Sequence, residues 1–320
     1  MMLCVMPLPS LQSSPRLAAP ATTDEQSSPS LHRAPHLRST LLHELLEGQD
    51  PFLWANASDV DLSYPHQSLN HQLANALFAQ LNMSRPFLYV EAGCLTGGSL
   101  LVVARALRAL GAHKVTMLAI DPFTGDKGMW VFHLFLGLRR GRPSIMERFL
   151  ANVKEAGFAQ SVVPMQATAS AGLKALYWLH TRGRPVPLAD FIYLDSAHEQ
   201  DETLLEMRVA WAALAPGGVL YGDDFGLVYR GVLHDVVTFA QLDAPANASS
   251  KAAARLAHIG ERYLGRPVPL KKFDGVAAVE QHIGSCANGM RCGSFMVDAG
   301  GRRFLILAVL RSFKWVMVKD

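Results

Sequence analysis

Cysteine is scarce in this sequence. Four residues in a chain of 320 are too few for a scaffold stapled by disulfides. Cys286 and Cys292 lie close together in a Gly-containing segment and can either pair or stay reduced, and a zinc role is not expected of them. Long apolar runs are missing too. No stretch reaches the ~18 uninterrupted apolar residues that a membrane span needs, and Phe304 to Leu310, the best candidate, has strand length and arginines on both sides. A soluble protein follows, with the cytoplasm as the default compartment. A surplus of one charge is also lacking, since 30 basic residues stand against 27 acidic ones. No nucleic-acid partner is therefore expected, and the short cluster Arg139-Arg140-Gly141-Arg142 reads as a solvated loop.

Half the residues are hydrophobic and 18% are charged, which implies a sizeable core. Residues 1–36 differ. The run from Ser10 to Pro35 is rich in Ser, Pro, Ala and Thr, and no acidic residue precedes Asp24. This segment is either a disordered tail or a transit-type targeting peptide. Asn-x-Ser sequons at Asn56, Asn82 and Asn247 hint weakly at a secretory route.

Residues 37–86 read as an N-terminal helical extension, with apolar stripes through Leu41, Leu42, Leu45 and Leu46 and through Leu73, Ala76, Leu77 and Leu81. From residue 87 the pattern alternates between strand and helix, as in parallel α/β proteins. Strands are expected at Phe87–Glu91, Val115–Asp121, Ser161–Gln166, Phe191–Asp195 and Gly218–Asp223. Helices are expected near Leu100–Leu110, Ile145–Ala156, Ala171–His180, Thr203–Leu214 and Val232–Leu242, the last closing the regular series. Beyond about residue 226 the chain looks less regular, with a hairpin around Ala299-Gly300-Gly301 and a final strand at Trp315–Lys319. The fold class is thus α/β: a Rossmann-like, mostly parallel sheet of about seven strands with helices on both faces, spanning 87–320.

Three groups of residues carry chemistry. Directly after the first strand comes Glu91-Ala92-Gly93-Cys94-Leu95-Thr96-Gly97-Gly98-Ser99. Its glycines permit a sharp turn and close approach of a ligand, and it ends at a helix N-terminus. Gly93 has no glycine two residues on, so the dinucleotide fingerprint is absent and a nucleotide-dependent oxidoreductase is disfavoured. Second, Asp121 ends the second strand, where ribose hydroxyls are read in Rossmann-like sites, although such a residue can equally cap a turn. Third, Asp195 ends the fourth strand and Asp223-Asp224 end the fifth. Three carboxylates at neighbouring strand tips would repel one another unless a cation or a shared proton balanced them, and hard oxygen ligands suit Mg²⁺. The plain alternative has one Asp capping a helix and another pairing with a basic residue. His198, three residues beyond Asp195, could take a proton from an acceptor.

Together these residues resemble the class I S-adenosylmethionine-dependent methyltransferases. The specific stretch is Asp190-Phe-Ile-Tyr-Leu-Asp195-Ser-Ala-His198, then Glu206 and Trp211, then Leu214-Ala-Pro-Gly-Gly-Val-Leu-Tyr-Gly-Asp-Asp-Phe225. It is similar to the group holding the cephalosporin-hydroxylase-like and macrolide O-methyltransferases, and more distantly to the catechol O-methyltransferases. The resemblance implies S-adenosyl-L-methionine held by Glu91, Gly93, Thr96, Gly97, Gly98, Ser99, Asp121, Thr168 and Asp195. It also implies a divalent ion on Asp195, Asp223 and Asp224, His198 as the base, and O-methylation of a hydroxylated small molecule. Asp224 stands where the catechol enzymes carry Asn, and His198 where they carry a catalytic Lys. A cofactor-binding scaffold without transferase activity is the alternative. The segment Pro122 to Trp130 is either a lid over the site or a set of apolar side chains packed under the domain. Oligomeric state is left open.

Overall fold

The computed structural model describes residues 36–61, 71–79, 81–82, 84–132, 135–243, 250–285, 292–299, 302–309 and 312–320. The expectations for residues 1–35, the Gly300-Gly301 turn, Cys286 and the Asn247 sequon lie outside them. Residues 35–320 form one compact unit.

Five parallel strands make the first part of a single sheet: β1 (Phe87–Ala92), β2 (Val115–Asp121), β3 (Val162–Gln166), β4 (Ala189–Leu194) and β5 (Leu214–Gly222). They lie in the order β3-β2-β1-β4-β5 and continue into β9 (Ser312–Val318), β8 (Arg302–Val309), β7 (Phe295–Ala299) and β6 (Leu270–Lys272). β9 runs antiparallel to β5, pairing Gly222 with Trp315. β8 and β7 follow antiparallel, and β6 returns to parallel. β1 and β2 are buried along their whole length. A strand covered on both faces favours a near-continuous apolar run over an alternation, and the sequence supplies one in each, interrupted by the buried Glu91 in β1 and Thr116 in β2.

Helices cover both faces. On one, Tyr89, Met117, Phe191 and Tyr221 pack with α2 (His71–Phe78), α3 (Gly98–Ala109), α5 (Ile145–Glu155) and α9 (Ser250–Leu264). On the other, Val90, Ile120, Ile192 and Trp315 pack with α1 (Leu37–Leu46), α6 (Ala169–Thr181), α7 (Glu202–Ala213), α8 (Arg230–Leu242) and α10 (Val276–Ser285). A short α4 (Lys127–Phe132) has no buried residue. Nine strands are described where about seven are expected, because Leu270-Lys-Lys is too short and polar to announce β6. The regular series also does not close at Leu242. α9 and α10 follow, with apolar positions at helical spacing, Ala252, Leu256, Ile259 and Tyr263, facing the sheet.

α1 shows how the N-terminal helices are tied in. Its Arg38 is buried, donates to the Val162 carbonyl at 3.0 Å and pairs with Asp50 at 2.8 Å. A buried guanidinium needs such partners, since it would otherwise lose its hydration without compensation. Among the described residues no helix is long and apolar enough to cross a membrane. Cys94 is free, whereas Cys292 is disulfide-bonded.

Candidate active site

The C-terminal tips of β1, β2, β4 and β5 open onto a cavity of about 280 Å³. Ligands of open α/β sheets bind at this edge because the loops there diverge and expose backbone donors.

Gly93 turns the chain off β1 at φ +87°, and a Cβ there would lie 1.9 Å from the Asp195 carbonyl oxygen. The close approach of the β1 and β4 tips therefore requires glycine. Gly97 and Gly98 lead into α3, with Gly97 also left-handed at φ +90°. Asp121 ends β2 and binds two backbone amides, Leu95 N–H at 2.8 Å and Phe123 N–H at 2.5 Å. It thus fastens the glycine loop to the segment that follows β2. Burial pushes its pKa up, and the two amides oppose the rise.

The expected cofactor residues do not all reach the cavity. Gly93, Asp121 and Asp195 line it. Glu91 is fully buried beneath the loop, accepting from Ser99 Oγ at 2.5 Å and Tyr89 Oη at 3.0 Å, and Tyr89 is linked to Tyr221 at 2.9 Å. Burial pushes the Glu91 carboxyl up to about 8. Thr96 is buried, and its carbonyl accepts from Asn152. Thr168 is exposed and caps α6 by accepting from Ala171 N–H.

The carboxylates sort themselves unequally. Asp195 follows β4, accepts from Tyr193 Oη at 3.2 Å, and is pushed up to about 7 by burial and the charges of Asp223 and Asp224, with Lys314 pulling the other way. Asp223 accepts on Oδ1 from Asp224 N–H at 2.7 Å and Ser312 Oγ at 3.1 Å, while its Oδ2 meets the ammonium of Lys314. β5 ends at Gly222, and the left-handed Asp224, φ +60°, turns the chain so that the adjacent carboxylates need not face opposite ways. Asp224 Oδ2 lies 2.8 Å from His198 Nε2.

His198 stacks on Tyr229 with ring centroids 4.7 Å apart. Burial alone would lower its pKa. The hydrogen bond and charge of Asp224, with the charges of Asp195 and Asp126, outweigh that and raise it. Behind it Glu206 accepts from Ser196 Oγ at 2.6 Å, and burial raises its carboxyl to about 7. The segment after Asp121 divides. Phe123 is buried against Phe149, Met129 lines the cavity, and Trp130 is 42% exposed with its indole N–H on the Thr124 carbonyl. An exposed Lys127–Glu199 ion pair joins this segment to the loop carrying His198.

The expected ion site fits these residues poorly. Asp223 has both oxygens engaged, one of them by an ammonium, so Asp195, Asp223 and Asp224 are not three available ligands. A different set, Asp195, His198 and Asp224, offers ligand atoms within 4.8 Å of one another.

Lys314, Ser312, Tyr229 and Asp126 escaped the sequence reading. A lysine inside the apolar run Phe313-Lys314-Trp315-Val316 was a signal, because a charge among buried strand residues needs a partner. Tyr229 gave no comparable sign.

Residues 90–225 match the family described as methyltransferase domain. The resemblance to class I methyltransferases is borne out at that level. Among solved structures, the chain is similar to the O-methyltransferase TomG from Streptomyces achromogenes, crystallised with SAM, at 18% identity over 91% of this chain and 92% of that one, with a TM-score of 0.37. It is also similar to an O-methyltransferase from Bacillus cereus in complex with SAH, at 14% identity over 90% of this chain and 93% of that one, TM-score 0.38. No curated protein matches the sequence.

Proposed function

We propose that the chain is an S-adenosylmethionine-dependent O-methyltransferase acting on a hydroxylated small molecule. When bound, the cofactor supplies an electrophilic methyl on a sulfonium. The lining of the cavity suits that cation, since Asp121, Asp126, Asp195, Asp223 and Asp224 all face it and neither lysine nor arginine is among the lining residues. Gly93, the Leu95 backbone and Asp121 would hold the cofactor, with the α3 N-terminus favouring its carboxylate.

The observation that carries the reading is the His198–Asp224 pair at 2.8 Å on the cavity wall. With Nε2–H donated to Asp224, Nδ1 is the basic nitrogen of the ring. Asp224 and the stacked Tyr229 fix the ring plane, so a hydroxyl presented to Nδ1 is positioned and deprotonated by a group that loses little freedom in doing so.

The test supplies the purified chain with S-adenosylmethionine and a panel of phenols and sugars, and measures the demethylated cofactor. His198→Ala is expected to lower turnover about 10²- to 10⁴-fold while cofactor affinity is nearly unchanged. Equal loss of both would remove the base role.

A second reading, favoured by the proximity of Asp195, His198 and Asp224, keeps a divalent cation in the site. It would occupy the imidazole and take His198 out of proton transfer.

A further inference from the structure

Lys314 is the only buried lysine among the described residues, with no solvent exposure. β9 brings it there. Gly222 pairs with Trp315 across the antiparallel β5–β9 ladder, so the next step along each strand sets Asp223 beside Lys314. An ammonium without water keeps its charge only against a close anion. Asp223 is that anion, and its remaining lone pairs accept from Ser312 Oγ and Asp224 N–H.

The strand tips therefore already hold a fixed positive charge where the family resemblance led us to expect a divalent ion. A cation reaching Asp223 would have to displace the ammonium or sit against it, and like charges at such range are strongly unfavourable in a buried setting. We propose that Lys314 stands in for the divalent cation: the internal Lys314–Asp223 pair balances the carboxylate tips and the site binds no metal, in opposition to the second reading above, in which Asp195, His198 and Asp224 hold one. Lys314 is a positioning residue, acting through Asp223 on the orientation of the adjacent Asp224 and, through Asp224, on His198. The inference qualifies the methyl-transfer reading without depending on it, because metal binding is read without turnover.

The experiment titrates Mn²⁺ into the full chain and follows free Mn²⁺ by electron paramagnetic resonance. Wild type is expected to show no stoichiometric binding up to millimolar Mn²⁺. Lys314→Met leaves a carboxylate cluster without its counter-charge and is expected to bind one Mn²⁺ at least about ten-fold more tightly than wild type. Stoichiometric binding by wild type, or no gain in the variant, overturns the proposal. Should Lys314→Met fail to fold, Lys314→Met/Asp223→Asn is expected to fold, because the two charges leave together. A double variant that also fails overturns the pairing.

Discussion

Replacing Glu91 by Gln is expected to change how stability depends on pH more than stability at any one pH. Glu91 is fully buried under the glycine loop, and burial lifts its carboxyl from 4.5 to about 8. In the unfolded chain it ionises near the ordinary value; in the folded chain it keeps its proton until pH approaches 8. Between those limits the folded state binds more protons than the unfolded one, so unfolding becomes easier as pH rises. Glu91's contribution is fully present below about pH 4.5 and lost by about pH 8. At ~1.36 kcal/mol per pH unit across that window, the loss amounts to at most about 5 kcal/mol. Gln is nearly isosteric and does not titrate; its amide oxygen can accept from one of the Ser99 and Tyr89 hydroxyls while its NH2 donates to the oxygen of the other. Urea unfolding of wild type and Glu91→Gln at pH 5, 6, 7 and 8 reads the difference. The variant should gain on wild type steadily toward pH 8, by several kcal/mol in all. Parallel profiles would mean that the native carboxyl titrates normally, and the burial argument would fail.

Gly93→Ala places a methyl 1.9 Å from the Asp195 carbonyl at a positive φ, so the β1 and β4 tips must part; a loss of at least about 2 kcal/mol is expected, checked by thermal unfolding with S-adenosylmethionine affinity alongside. Tyr229→Ala removes the ring stacked on His198 and is expected to lower turnover about ten-fold, in line with the ~0.5–1.5 kcal/mol of a ring pair, with cofactor affinity unchanged. A matching loss in cofactor binding would show that Tyr229 supports the cofactor and not the base.

The parallel half of the fold was legible in the chain because its strands are covered on both faces. Val115–Asp121 appears in the sequence as a near-continuous apolar run ending in an acid, and that is where β2 runs. The acids Asp121, Asp195 and Asp223 could be placed at strand tips for the same reason, since each follows the last apolar residue of its strand. β6 and the late helices were less legible: three residues, two of them lysines, make a poor strand signal, and α9 and α10 follow a stretch with little regular pattern.

The linear order alone determined which side chains end the parallel strands and that Gly93 and Gly97 must turn the loop between β1 and α3. It could not determine which acids remain available once the chain closes. That was decided by β9, which begins 89 residues beyond Asp223, returning antiparallel along β5 and delivering a buried ammonium to one carboxylate and not to the others. Partner choice among like-charged groups is a tertiary property, because a buried charge is stable only against the partner that the sheet sets beside it.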